Sequence, residues 1–391
     1  MTRRGFVMSS GISLGAPAAL AAQAARPRNI RLKITDIRTL RLRTIKELGS
    51  LEPAWAPGSR MAFRQGGDLL VEVVTDQGLT GIGPAGNALR LAEAKNQLTG
   101  KDPFDIDFPA AGGPGVDIAL WDLIGKACGQ PLYKLFRAAK DKVPAYASMV
   151  QLSNSGERAE LAGHLVSEGW KAVKLRLHHE TLKEDIAVVE AVRKVIGDRE
   201  EIMVDANQAQ SGGDWQPGPL WDFRRALETA RELERLNCYW LEEPLPRYHF
   251  DQLAELNRLV AIPLAGGENN HGIHEYLWML QQGVYDILQP EVANSGISDL
   301  CKIGVLADAF GRKIVPHHGG SALGVIAHLH LIASWPHAPW IELLHDPPVC
   351  DYRDRFAIFE EPPLLDREGY LALPQKPGLG VEIKPDLILK D

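Results

Sequence analysis

Three carboxylates, Asp205, Glu242 and Glu268, close three short apolar runs, IMVDAN, YWLEEP and IPLAGGEN. They recur at intervals of 37 residues (205 to 242) and 26 residues (242 to 268). One strand, one return helix and two loops take about that length in a parallel barrel of roughly 250 residues and eight units. Acids at successive strand ends converge at the barrel mouth. There they repel one another unless something positive sits among them, and a hard divalent cation with oxygen ligands meets that need. The plainer alternative is three unrelated, solvated strand-end acids, against which the shared rhythm argues.

Other polar groups keep the same rhythm. Lys174 and Arg176 close the run VKLR, and period-two alternation turns both toward the barrel interior, where buried cations need acidic partners. From Glu268 the steps are 23, 26 and 25 residues, to Glu291, His317 and Glu342. Such a set suits removal of the proton α to a carboxylate, a weak acid whose enediolate must be stabilised as it forms. Lys174 adds a fixed positive charge. His317 is the candidate base, with Glu291 on the adjacent strand to hold its imidazole. A purely structural histidine is the alternative for His317, and His318 reads as a neighbour without a catalytic role.

These groups require eight strands to carry them. Apolar runs near 143–149, 171–177, 201–205, 238–242, 262–267, 285–289, 313–316 and 340–344 alternate with helical patterns such as 181–196, 222–236 and 296–310. That is a (β/α)8 count, an α/β fold of TIM-barrel type over 143–350. Ahead of it, 29–140 reads as an α+β capping domain: a strand to about Arg43, a loop over 44–67, a hairpin turning at Asp76-Gln77-Gly78, and helices over 89–98 and 117–127. The tail, 351–391, is expected to pack back on that domain.

The formal charge of −7 argues against a nucleic-acid partner. Four scattered cysteines fit no zinc spacing and read as small buried hydrophobes. Residues 1–25 read as a leader: Thr2-Arg3-Arg4-Gly5-Phe6 is a twin-arginine pattern, followed by a Gly/Ala/Ser-rich stretch with A-x-A cleavage options. A periplasmic protein follows, with no membrane attachment after cleavage, because no other stretch is apolar enough to span a bilayer.

The motifs GVDIALWDLIGKACGQPLYKLF, VDANQ, WLEEP, GGEN and PGLGVEI together resemble the enolase superfamily, and within it the mandelate racemase group. The resemblance spans 30–391. It implies that Asp205, Glu242 and Glu268 bind Mg²⁺, with Glu242 taken over Glu243. It also implies that Asn207 contacts the substrate, that Glu342 hydrogen-bonds the substrate carboxylate, and that the 44–67 segment, with its isolated Trp55, is a lid over the site. Symmetric homo-oligomers are usual among such proteins. The resemblance also implies a His or Lys base acting beside Mg²⁺.

Two positions depart from the pattern. The racemases carry a second lysine base where this chain has Arg176, and arginine is a poor proton acceptor. The usual dyad Asp is here Glu291, which puts the dyad geometry in question, and the 101–116 passage is shorter than usual. A one-base reaction survives: His317 takes the α-proton and returns it to a departing β-hydroxyl, which is dehydration of an acid sugar, an aldonate or aldarate. The alternatives are a racemase or epimerase of a 2-hydroxy or amino acid derivative, and a non-catalytic carboxylate-binding protein. His178 reads either as a second acid or as a solvated loop histidine.

Overall fold

Strands that are apolar on both faces can be stable only when covered on both sides, which in a parallel sheet means helices outside and packed side chains inside. The computed structural model describes residues 31–109, 111–211 and 215–390, so the leader expected over 1–25 lies outside the described residues. The first part of the chain forms β1 (Ile34–Arg41), β2 (Thr44–Leu51), β3 (Met61–Gly66), β4 (Leu69–Thr75), β5 (Thr80–Pro84), α1 (Leu91–Leu98), α2 (Pro114–Ala127) and α3 (Leu132–Leu135). Then come the alternating units: β6 (Lys142–Ser148), α4 (Ser155–Ser167), β7 (Ala172–Arg176), α5 (Leu182–Ile196), β8 (Glu201–Asp205), α6 (Phe223–Arg235), β9 (Trp240–Glu242) and α7 (Phe250–Leu259). They continue through β10 (Leu264–Gly266), α8 (Gly272–Gln282), β11 (Ile287–Leu288), α9 (Val292–Ala309), β12 (Lys313–Ile314), α10 (Ala322–Ser334) and β13 (Ile341–Leu344). The tail adds α11 (Tyr352–Phe356) and β14 (Tyr370–Ala372).

The barrel strands pair in parallel in the order β12-β11-β10-β9-β8-β7-β6-β13. Across the β12–β13 seam, the Ile314 N–H donates to the His337 carbonyl at 3.3 Å. Alternation sorts the side chains. Val173, Leu175, Val204 and Leu241 join the layer between sheet and helices, while Ala172, Met203 and Trp240 fill the barrel interior with Tyr146. Lys174, Arg176, Asp205 and Glu242 follow on the inward side. The ladder sets Arg176 beside Asp205 and Asp205 beside Glu242.

In the cap, β1, β4 and β5 form an antiparallel sheet against α1 and α2, around a core including Ile37, Val73, Val116 and Leu120. Glycine in TGIGP lets β5 approach α2: a Cβ at Gly81 would lie 2.0 Å from the Ala119 carbonyl oxygen. One expectation is corrected here. Residues 44–67 are not loop throughout, because β2 and β3 pair as an antiparallel ribbon and only 52–60 connects them. Strand β2 is exposed along most of its length, so its sequence carries no apolar alternation to reveal it. Leu51, Trp55, Met61 and Phe63 seat this ribbon on Val150, Leu344 and Cys350 at the barrel mouth. Of the cysteines, all free, Cys238 and Cys350 are buried as expected, but Cys128 is exposed.

The tail returns to both parts. Strand β14 pairs antiparallel with β6, and Arg43 meets Asp386 at 2.8 Å. The buried Asp122 carboxylate gathers three elements, accepting from Ile82 N–H at 2.9 Å, Leu379 N–H at 2.8 Å and Lys126 Nζ at 2.7 Å. Asp122→Ala leaves two buried N–H groups unpaired, each costing about 1–3 kcal/mol. Urea unfolding of that variant is expected to show a loss of about 3 kcal/mol; a loss below about 1 kcal/mol would remove Asp122 from this role.

Candidate active site

Asp205, Glu242 and Glu268 are buried, and each offers an oxygen within 4.8 Å of the other two. The cations arrive from the neighbouring strand. Lys174 Nζ lies 2.7 Å from Glu242 Oε1, 2.9 Å from Glu342 Oε1 and 3.6 Å from Asp205 Oδ2. Burial alone would lower the Lys174 pKa, but Glu242 and Glu342 outweigh it and hold it above the ordinary lysine value, so Lys174 is a fixed cation. Arg176 is fully engaged. Nη1 reaches Asp205 and, at 3.3 Å, the Asn207 Oδ1; Nη2 donates to Ser148 Oγ at 3.0 Å and Nε to the Met149 carbonyl at 2.8 Å. The Trp55 ring centroid lies 4.8 Å from the guanidinium carbon, bringing the 52–60 connection onto the site.

The second oxygen of Glu242 is fixed by Trp240 Nε1 at 3.0 Å and Gln289 Nε2 at 2.8 Å. The sequence reading assigned a role to neither residue. Asn207 takes a left-handed backbone, φ 50°, that lets its N–H donate to Asp205 Oδ1 at 2.8 Å. Glu243, also left-handed at φ 45°, accepts from Asn269 Nδ2 at 3.3 Å.

Across the mouth, His317 spans two carboxylates: Nδ1 is 2.9 Å from Glu291 Oε2 and Nε2 is 3.0 Å from Glu268 Oε2. The extra methylene of Glu291 is accommodated because this side chain also caps a helix. Its Oε1 accepts from Ala293 N–H at 3.0 Å and its Oε2 from Gly319 N–H at 3.0 Å. Burial would raise the Glu291 pKa, but the His317 hydrogen bond and the neighbouring imidazoles bring it down to about 2. Burial likewise would lower the His317 pKa, but Glu268, Glu342 and Glu291 push it up to about 9.

Helix α9 is broken at Gly296, φ 71°, so its first turn stands apart from the remainder. That turn carries Asn294, whose Nδ2 donates to the Glu268 carbonyl at 3.0 Å. After the break, buried Asp117 of the cap accepts from Ser298 N–H at 3.0 Å. The sequence reading found neither the break nor this strut. His328, on the apolar helix α10, accepts from Val292 N–H at 3.0 Å and lies 3.9 Å from Glu291. Burial depresses its pKa to about 4, so it is a neutral acceptor. His178 is not solvated: it is buried, with Nε2 3.1 Å from the Pro217 carbonyl.

Three buried oxygen donors, flanked by charge that Lys174 and Arg176 only partly balance, fit a hard divalent cation. The Glu242 pKa reports that imbalance: burial and then Asp205 raise it, and despite Lys174 it is pushed up to about 8.

Comparison with known proteins gives the site a context. A family model described as Enolase C-terminal domain-like matches residues 157–387. The arabinonate dehydratase of Saccharolobus solfataricus is 34% identical over 278 residues, 70% of each chain. The L-talarate/galactarate dehydratase of Salmonella typhimurium is 32% identical over 302 residues, 70% of this chain and 72% of the relative. Among solved structures, D-glucarate dehydratase from Agrobacterium tumefaciens, complexed with magnesium, superposes with a TM-score of 0.75 at 26% identity, covering 92% of this chain and 99% of that one.

With Mg²⁺ at a hundred times its dissociation constant, the folded protein is expected to gain about 2.7 kcal/mol of stability. Asp205→Asn is expected to weaken binding at least tenfold, which removes about 1.4 kcal/mol of that gain at the same Mg²⁺ concentration. Thermal melts across a Mg²⁺ titration check both. Absence of any shift in the unsubstituted protein would sink the assignment of a metal to this cluster.

Proposed function

The chain belongs to the enolase superfamily, and from that premise we propose that it is a Mg²⁺-dependent hydro-lyase converting an acid sugar, an aldonate or aldarate, to a 2-keto-3-deoxy acid. The observation that carries this reading is the single base: His317, anchored by Glu291 at 2.9 Å, with its other nitrogen facing the carboxylate cluster. The dehydratase relatives support it.

When bound by Asp205, Glu242 and Glu268, Mg²⁺ supplies electrostatic stabilisation to the enediolate. Lys174, fixed as a cation, adds to that stabilisation, while Glu342, Lys174 and Asn207 orient the substrate carboxylate. Glu268 is the first of the carboxylates that hold the His317 proton, and a cation bound there would offset its charge; His317 Nδ1–H is retained by Glu291, which then leaves Nε2 to accept the proton from C2. The same imidazolium then gives its proton to the hydroxyl on C3, which leaves as water as the C2–C3 double bond forms. The resulting enol tautomerises to the 2-keto acid. Arg176, charged at any working pH and committed to Asp205, Asn207 and Ser148, is unsuited to be the second base that a racemase needs. A mere carboxylate-binding protein has no need of the anchored dyad.

Export to the periplasm is part of the same proposal, supported by the twin-arginine pattern at Arg3 and Arg4. Replacing both with Lys in a tagged full-length chain is expected to leave the protein in the cytoplasmic fraction; unchanged periplasmic recovery would count against that route.

His317→Asn is expected to lower kcat for 2-keto acid formation by about 10³-fold, within the usual range for a general acid–base group. The Mg²⁺-induced thermal shift should persist in that variant. Turnover within about tenfold of the unsubstituted protein would take His317 out of the base role.

A further inference from the structure

Between the β2–β3 ribbon and α11 lies a cavity of about 180 Å³ that the chemistry above does not use. It has room for roughly six water-sized groups at about 30 Å³ each. One wall is part of the apolar cluster that seats the ribbon, Phe63 and Leu344 among it. The other wall is polar, presenting Arg64, Asp68, Ser321, Asp351, Asp354 and Arg355.

Arg355 connects this cavity with the reaction centre. Its Nη1 is 3.4 Å from His318 Nδ1, and the His318 ring centroid is 4.1 Å from that of His317. Among the described residues, no carboxylate lies within ion-pair distance of Arg355. Its guanidinium therefore keeps donors for another partner. The polar wall carries three carboxylates, Asp68, Asp351 and Asp354, against two guanidiniums, Arg64 and Arg355. Burial raises the Asp68 pKa while Arg355 and Arg64 pull it back, placing both guanidiniums near that acid. Asp354 accepts from Gln65, and Asp351 is held at 2.9 Å by Arg353, which stands outside the lining.

A hydroxyl both donates and accepts, so carboxylates and guanidiniums serve it alike. A carboxylate only accepts, and in this lining it would meet three like charges against two opposite ones. We infer that the cavity receives the hydroxylated chain of the substrate beyond the reacting carbons, and that this chain ends in a hydroxyl: the substrate is an aldonate rather than an aldarate. This rests on the dehydratase reading and deepens it. It makes Arg355, Asp354 and Asp68 specificity-determining residues contributed by α11 and by the turn between β3 and β4.

The test measures 2-keto acid formation by the full chain with Mg²⁺ on six-carbon aldonates and on the aldarates of the same configuration. At least one aldonate is expected to exceed its aldarate by about a hundredfold in kcat/KM, the scale set by a site built around hydroxyl hydrogen bonds. Arg355→Gln is expected to raise the KM of that aldonate about tenfold, the loss of one charge-assisted hydrogen bond, with kcat held within about twofold. Asp354→Asn, which keeps the shape and removes a charge, is expected to narrow the aldonate-to-aldarate ratio about tenfold. An aldarate preferred over its aldonate overturns the inference and leaves dehydration standing. So does a fall in kcat at unchanged KM in Arg355→Gln, which would mean that Arg355 acts through His318. Failure of every acid sugar to yield a 2-keto acid would instead overturn the dehydratase reading, and this inference with it.

Discussion

The constraint on which the rest depends is electrostatic: Asp205, Glu242, Glu268 and Glu342 are all buried at one end of a barrel. Two like charges within 4.8 Å of each other repel by roughly 3 kcal/mol or more at an effective dielectric of about 20, and a few such pairs rival the total stability of a typical domain. Two buried cations share the same space, which lowers the repulsion without removing it, as the raised Glu242 pKa records. A divalent cation at Asp205, Glu242 and Glu268 would complete the balance. Much of the surrounding architecture keeps these charges apart from water yet close to one another. Trp240 and Gln289 fix one oxygen of Glu242, the ladder fixes the level of Asp205, and Asn294 fixes the backbone of Glu268.

The second base of a racemase is lost to this same balance. A lysine at 176 could move between charged and neutral forms; arginine cannot, and here its guanidinium is divided among a carboxylate, an amide, a hydroxyl and a backbone carbonyl. It has become part of the scaffold for Asp205. In the proposed reaction, catalysis is therefore left to one side of the pocket, where His317 must both remove and return the proton. Elimination allows that, because the proton taken from C2 leaves with the hydroxyl of C3.

What could be read from the sequence was what period and spacing encode. Each barrel strand is an apolar run ending in a polar group, so the eight strands emerged within a few residues of their observed bounds, and Lys174 and Arg176 were turned inward by alternation alone. What escaped was set by tertiary partners with no local signature. Strand β2 is held by backbone pairing with β3 and is exposed on both faces, so its residues do not alternate. Gly296 interrupts a helical pattern that continues on either side of it, and its left-handed φ of 71° together with Asp117, 2.7 Å from the position of a Cβ there, shows why that residue is glycine. His328 sits within an apolar helix, where sequence alone cannot separate a polar support from an ordinary buried residue.

The Glu-for-Asp departure at 291 shows how a local rule can be broken and compensated. A longer side chain gains freedom that would loosen a dyad whose function depends on fixed geometry. Here its two oxygens are divided between the start of α9, through Ala293 N–H, and the loop after β12, through Gly319 N–H. The added rotamer freedom is thereby removed by two backbone donors, and the carboxylate meets His317 Nδ1 at hydrogen-bonding distance. The break at Gly296 belongs to this arrangement. It separates the turn that follows Glu291 from the body of α9, so the turn can take the orientation the dyad requires. Asp117 meanwhile restores, from the cap, a hydrogen bond to a backbone N–H that the interrupted helix leaves unsatisfied. The cap thus bears on the site through α9 as well as through Trp55.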